Sequence, residues 1–322
     1  TRPATAGQPQ RTSAVWLAAW PGGDLDAPDG EGWSALLRAA AQGESMAMAE
    51  LLRRPKVEIN GVEPAKGQAA LGLASRKGHG TAVRTLLGCA QVDVNQADMG
   101  GYTALHIAAE KGKMAVVQLL LAHPDVEPNR MNQEGHTPLF LAAYVGNETI
   151  VELLLTRADI DVNLTGPLGR TPLAIAAQFG NEVVVQKLLA HPAVEVEKAS
   201  NKGTTPLLVA CLANQTAVAL DLLKAKADPN RRWYASSGDT PLNFAQQADN
   251  TELLAALVAE GADVTVLYEP LVARCMLGEA HAARRLLLET ISSTPTPTPA
   301  GAPSPSPSSG GEAERLPPLV RA

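Results

Sequence analysis

The sequence predicts an all-α solenoid: helix–turn–helix units joined by hairpin-like turns and stacked in a line. Three observations predict it. A twelve-residue phrase returns seven times at a nearly constant interval. A second apolar stripe of helical spacing follows each copy. A unit this small cannot bury its own apolar face, so the units must stack on one another.

The phrase reads GWSALLRAAAQG (32–43), GQAALGLASRKG (67–78), GYTALHIAAEKG (101–112), GHTPLFLAAYVG (135–146), GRTPLAIAAQFG (169–180), GTTPLLVACLAN (203–214) and GDTPLNFAQQAD (238–249). Its opening glycines lie 34 or 35 residues apart. Each part of the phrase has a physical task. The glycine permits a tight turn. Thr103, Thr137, Thr171, Thr205 and Thr240 are placed to cap a helix N-terminus with a hydroxyl. Pro138, Pro172, Pro206 and Pro241 follow at the first helical position, where a missing N–H costs nothing. The Ala-Ala pair gives a thin helix face against which a neighbour can pack closely. Gly112, Gly146 and Gly180 suit a left-handed stop. The stripes VVQLLL (116–121), IVELLL (150–155) and VVVQKLL (183–189) predict the second helix. Turns such as VDVN (92–95) and IDVN (160–163) close the unit, with the Asn expected to bond its own backbone.

The segments fall in order along the chain. Residues 1–11 read as a flexible N-terminus. Residues 12–30 read as a capping half-repeat, with Trp16 and Trp20 on one helix face. Residues 31–267 hold the seven repeats. Residues 268–291 keep Pro270, Leu271 and Gly278 but carry Arg274 where a small residue is expected, which predicts a degenerate C-terminal cap. Residues 292–322 alternate Pro with Ser or Thr, a composition that builds no core and predicts a disordered tail. Its one apolar patch, ERLPPLVRA (314–322), is a candidate docking motif.

These residues closely resemble the ankyrin repeat family over about residues 31–291. The resemblance implies a hairpin turn plus two antiparallel helices per unit. It also implies a protein partner held on a concave surface made of hairpin tips and the exposed side of the first helix. The variable contact positions it implies are those around the opening Gly and at the end of the first helix. Trp33, Tyr102, Tyr144, Phe179 and Tyr234, five of the eleven aromatic residues, fall on them. Met99, Met131, Val145, Leu168 and Leu212 join them. Lys66, Arg76, Lys77, Lys111, Arg170, Lys202, Arg231 and Arg232 outnumber Glu31, Glu110, Glu134 and Asp239 on the same surface, which predicts a partner with acidic segments.

The stretch NRRWYASSGDTPL (230–242) stands apart. Seven residues separate Asn230 from Gly238, where the other hairpins have five or six. The long tip carries Arg231, Arg232, Trp233 and Tyr234, residue types that dominate interface hot spots. The competing expectation is that Trp233 folds back to cover the C-terminal cap.

Catalytic chemistry finds little support. There is no Gly-rich phosphate loop, zinc spacing or nucleophile elbow, so no catalytic, cofactor or metal residue is assigned and no small-molecule substrate is expected. Cys89, Cys211 and Cys275 are odd in number and far apart, as buried small residues are. The resemblance implies that His106 bonds neighbouring backbone. His123 and His191 lie in equivalent loops two repeats apart, too far to share a metal. The net charge of −6 argues against nucleic acid as the main partner. No apolar run reaches membrane-spanning length, and TRPATAGQPQRTS lacks the apolar core of a signal peptide. The first residue is not Met. The expected compartment is therefore the cytoplasm or nucleus, or an organelle if a transit peptide was removed. The reading is a non-enzymatic interaction module. Its alternatives are a structural subunit of a large assembly and an adaptor bringing a client to an enzyme.

Overall fold

The computed structural model describes residue 25 and residues 27–233 and 238–266. The expected N-terminal segment 1–11, most of the half-repeat 12–30, the cap 268–291 and the tail 292–322 lie outside these residues. So do Trp16, Trp20, Tyr234, Arg274 and Cys275.

Seven helix pairs follow one another. The inner helices are Ala35–Gln42, Ala70–Lys77, Ala104–Glu110, Pro138–Val145, Pro172–Phe179, Pro206–Leu212 and Pro241–Gln247. The outer helices are Ser45–Leu51, Gly80–Leu87, Met114–Leu121, Glu148–Leu155, Glu182–Leu189, Thr216–Lys224 and Thr251–Ala259. Each inner helix packs on the inner helices either side of it and on its own outer helix, and the outer helices form the second layer. Among the described residues there is no strand. The turns stay short, with one isolated bridge between Val62 and Ala69.

The expected start and stop signals act as read. Thr103, Thr137, Thr171, Thr205 and Thr240 each accept a hydrogen bond from the backbone N–H three residues on, and Ser34 does the same in the first repeat. Ala69 cannot, and the second inner helix begins without a side-chain cap. Gly112, Gly146 and Gly180 end their helices in the left-handed region. Asn214 and Asp249, residue types that tolerate this conformation, take the same place in the last two repeats. Between these ends the Ala-Ala face is sealed. Ala39, Ala40, Ala108, Ala109, Ala142, Ala143, Ala176 and Ala177 have no exposed surface. Cys211 sits in one of these slots, buried, and burial pushes its thiol up to about 12.

The turn asparagines do not bond their own backbone as expected. They bond the next repeat. Asn95 donates to the Asp125 carbonyl at 2.6 Å and accepts from the Glu127 N–H at 2.9 Å. Asn129 makes the same pair with Asp159 and Asp161, and Asn163 with Ala193 and Glu195. Asn60 and Asn230 repeat it at the two ends. The bond within the turn comes instead from the aspartate two residues earlier: Asp93, Asp161 and Asp228 accept from the N–H of Asn95, Asn163 and Asn230. An amide carries both a donor and an acceptor, so one side chain ties two loops together.

The ladder has one defect. Glu197 stands where an Asn is due, and it only accepts, from the Asp228 N–H at 3.0 Å. The carbonyl that an amide would reach belongs to Lys226, two residues before Asp228 as in the other rungs. Glu197→Asn is expected to restore the missing donor and stabilise the fold by about 1 kcal/mol, a rise of about 2–4 °C in the thermal midpoint. A lower midpoint would mean that the shorter side chain does not reach.

Candidate functional site

The hairpin tips all close on one backbone pattern. The first tip residue donates its N–H to the carbonyl of the residue after the opening Gly: Asp29 to Trp33, Glu63 to Gln68, Asp98 to Tyr102, Asn132 to His136, Gly166 to Arg170, Ser200 to Thr204 and Trp233 to Asp239. Where that first residue is Asp, Asn or Ser, its side chain also accepts the N–H groups of the turn, as Asp98 Oδ1 does from Gly100 and Tyr102. Neighbouring tips are stitched together. Met99 donates to the Lys66 carbonyl, Gln133 to Gly100 and Asn201 to Leu168. The approach is tight: a Cβ on Gly101 would come within 2.6 Å of the Gln133 nitrogen.

This fold-back corrects one sequence expectation. The residue after the opening Gly does not face solvent in most repeats. Gln68, His136, Arg170, Thr204 and Asp239 are buried, and Trp33 and Tyr102 are half-buried. Arg170, counted among the surface cations, is only 3% exposed, and its guanidinium donates to Gln178 Oε1 at 2.7 Å on its own inner helix. That bond ties the hairpin to the last turn of the inner helix.

The ends of the inner helices carry exposed apolar side chains. The Tyr144 and Phe179 rings meet edge-on at 4.8 Å, joining repeats four and five. Phe179 is 45% exposed, Leu212 52% and Val145 45%. Met99 and Met131 are exposed on the tips of repeats three and four. The tip of repeat five is built differently. Gly166 has no side chain because the Phe140 ring occupies its space: a Cβ there would lie 2.7 Å from that ring. A short 3-10 turn, Pro167–Gly169, follows and holds Leu168 at φ 61°, with the side chain 40% exposed. Sequence reading placed Leu168 on the surface but had no signal for its left-handed backbone beyond the flanking Gly-Pro and Gly.

Three matches of a family model for ankyrin repeats cover residues 5–98, 91–166 and 156–233. The chain belongs to the ankyrin repeat family. Among solved structures it is similar to one titled "Crystal structure of the ankyrin repeat domain of Bcl-3: a unique member of the IkappaB protein family". The TM-score is 0.63 at 26% identity, over 70% of this chain and 99% of that one. No curated protein matches the chain. Ankyrin repeats are in general non-enzymatic protein-interaction modules, which is the functional class this membership supports. No helix among the described residues is long and apolar enough to cross a membrane, and no group of His, Cys, Asp and Glu among them could hold a metal ion.

The remaining candidates hold definite places on the ankyrin surface. The Arg38 guanidinium lies 4.6 Å from the Trp33 ring centroid and pairs with Asp29 at 2.7 Å, and with Glu31. The Tyr102 hydroxyl donates to Glu134 Oε2 at 3.4 Å, and burial, then that carboxylate, pushes the phenol pKa up. Arg231 and Arg232 are exposed. Trp233 folds back onto the preceding repeat and its own inner helix, while the cap it was also expected to cover lies outside the described residues. Its indole N–H donates to the Lys202 carbonyl at 3.0 Å, and its ring lies 6.1 Å from that of Phe244. Trp233→Ala is expected to lower the thermal midpoint by several degrees, from a loss of about 2 kcal/mol. Trp233→Phe should lose only the N–H bond, about 1 kcal/mol. An unchanged midpoint for Trp233→Ala would show that the ring carries no structural load.

His106 is the structural histidine the resemblance implied. Its Nδ1 accepts from the Thr103 N–H at 3.2 Å, so the ring proton sits on Nε2, which donates to the His136 carbonyl at 3.0 Å. Burial lowers its pKa from the ordinary 6.5 to about 4, and burial lowers His136 in the same direction. A protonated ring would also place a donor against the Thr103 N–H. Folding therefore favours the neutral form. The stabilisation is complete above pH 6.5 and drains as pH falls toward 4, by on the order of 1–3 kcal/mol. Asn243 makes the same two kinds of bond in repeat seven, accepting from the Thr240 N–H and donating to the Val266 carbonyl. His106→Asn is thus expected to flatten the fall in unfolding free energy between pH 6.5 and 4, measured by urea titration; equal slopes for both proteins would contradict this assignment.

Proposed function

We propose that this chain is a non-enzymatic module that holds a protein partner along its concave groove, on the hairpin tips and inner-helix ends of repeats three to seven. One observation supports this most directly. Met99, Met131, Val145, Leu168, Phe179 and Leu212, six of the ten large hydrophobic side chains exposed among the described residues, occupy hairpin-tip or inner-helix-end positions of the repeat. Exposed apolar residues grouped in this way mark interaction sites. The aromatic pair Tyr144 and Phe179 is the anchor, because aromatic rings bring large contact area at low entropic cost. The stacked helices hold the surface preformed, so little ordering is needed on binding. The exposed cations of the groove favour a partner with acidic segments.

The test uses three baits in a native extract, the wild type and two variants, read by quantitative mass spectrometry. A Phe179→Asp/Leu212→Asp variant is expected to lose the partner at least about tenfold. Val183→Asp, at an exposed apolar position on an outer helix, is expected to retain it. Thermal melts of all three proteins should agree within a few degrees, since every substituted side chain is exposed. Identical captured sets for the two variants would defeat the reading.

A further inference from the structure

The ends of the inner helices share one register. In repeats four, five and six, two consecutive positions there hold Tyr144 and Val145, Gln178 and Phe179, and Leu212 and Ala213. The same positions hold Arg76 and Lys77 in repeat two, Glu110 and Lys111 in repeat three, and Gln247 and Ala248 in repeat seven. The apolar side chains therefore form a row confined to repeats four to six. The row is continuous, because these three inner helices pack side by side. The Tyr144 and Phe179 rings meet across the first junction. At the second, Gly180 abuts repeat six so closely that a Cβ there would collide with the Gln215 side chain. Val145, Phe179 and Leu212 are exposed and Tyr144 is half-buried.

The chain itself carries a segment whose chemistry fits this row. Residues 314–322, ERLPPLVRA, lie outside the described residues. They follow the Pro-, Ser- and Thr-rich stretch 292–313, which contains no Leu, Ile, Val, Met or aromatic residue. A Pro-Pro pair favours the polyproline II helix, with three residues per turn and a rise of about 3.1 Å. In that helix Leu316 and Leu319 fall on one edge, about 9 Å apart. Packed helices lie about 8–10 Å apart, so two leucines spaced in this way meet equivalent sites on neighbouring repeats. Proline-rich segments dock on grooves lined with aromatic rings, where a preformed helix leaves little to order. Reach is sufficient. Repeats four to six lie one to three helix spacings from repeat seven, about 8–30 Å. The 22 residues 292–313 span up to about 68 Å when extended.

We propose that residues 314–322 dock on the row formed by Tyr144, Val145, Phe179 and Leu212 of their own chain, so that the tail and a protein partner compete for one surface. Pro317 and Pro318 lie against the aromatic pair, and the two leucines are spaced along the row. This deepens the partner-binding reading above and rests on it. Tethering supplies the occupancy. A linked segment is held at an effective concentration of about 1 mM, so one that binds in trans with a Kd of about 0.1 mM fills its site about ten to one.

The test is fluorescence anisotropy of a labelled synthetic ERLPPLVRA peptide against three full chains: the wild type, Leu316→Asp/Leu319→Asp, and that variant with Phe179→Asp/Leu212→Asp added. The tail variant is expected to bind the peptide about tenfold more tightly than the wild type, because its own segment no longer competes. Adding Phe179→Asp/Leu212→Asp should weaken the peptide at least about tenfold. Thermal melts of these two variants should agree within a few degrees, since Phe179 and Leu212 are exposed. Equal affinity for the wild type and the tail variant, or no binding to the tail variant, would overturn the inference. The capture experiment with Phe179→Asp/Leu212→Asp alone would still decide the partner-binding reading. Peptide binding that survives Phe179→Asp/Leu212→Asp would place the segment elsewhere and overturn the inference as well. So would a wild type that self-associates in sedimentation velocity where the tail variant stays monomeric, because the tail would then sit on a second copy.

Discussion

The small residues on the inner helices set the terms for everything else in the fold. Ala108 and Ala109, Ala142 and Ala143, and Ala176 and Ala177 are sealed between neighbours on both sides. A protein interior is packed to crystal density, so a larger side chain in these slots would force neighbouring helices apart. The alternatives in these slots are Ser75 and Cys211, both buried, and in the last repeat the half-buried Gln246. Close helix spacing in turn brings each hairpin tip within hydrogen-bonding reach of the next and each turn asparagine within reach of the following loop. The tip stitches and the asparagine ladder are consequences of that spacing. So is the continuous surface of the groove, since tips spaced further apart would present isolated fingers.

Departures from the repeat concentrate where the groove is most apolar. Phe140 replaces the histidine seen at 106, its ring stacks on His136 with centroids 5.0 Å apart, and it fills the space that a side chain on Gly166 would need. The tip then turns through Pro167 and Leu168 instead of using an Asp or Asn to gather the turn N–H groups. Arg170 tucks in behind that tip and ties it to Gln178. Glu197 weakens the ladder one repeat later. A chain optimised only for stacking would reuse the regular rung and the regular tip. The irregular units instead offer exposed apolar side chains on a rigid support, which fits the general trade between stability and function.

The histidines at 106, 123 and 191 show the same division of labour. His106 serves the stack: it caps its own helix and reaches the next hairpin, and it keeps its proton on Nε2 to do so. His123 and His191 do nothing between repeats. Each accepts, through Nδ1, an N–H two residues on in its own loop. Residue type alone does not separate these roles; distance to the neighbouring repeat does.

The sequence by itself determined the fold class, the number of helix pairs among residues 31–267, the helix starts at Thr-Pro and the left-handed stops at Gly. These are local: a hydroxyl reaching three residues on, or a backbone that only glycine adopts at low cost, needs no partner from elsewhere in the chain. It also placed Met99, Met131, Tyr144, Val145, Leu168, Phe179 and Leu212 on the outward positions of the repeat. Only the tertiary structure decided that Arg170 is buried, that Trp233 leans on the preceding repeat, and that the turn asparagines bond forward to the next loop. Each of those depends on a group about 30 residues away, or on the direction in which a turn folds back. A one-dimensional pattern records which positions recur, but the partner a side chain meets is set by how closely the repeats stack.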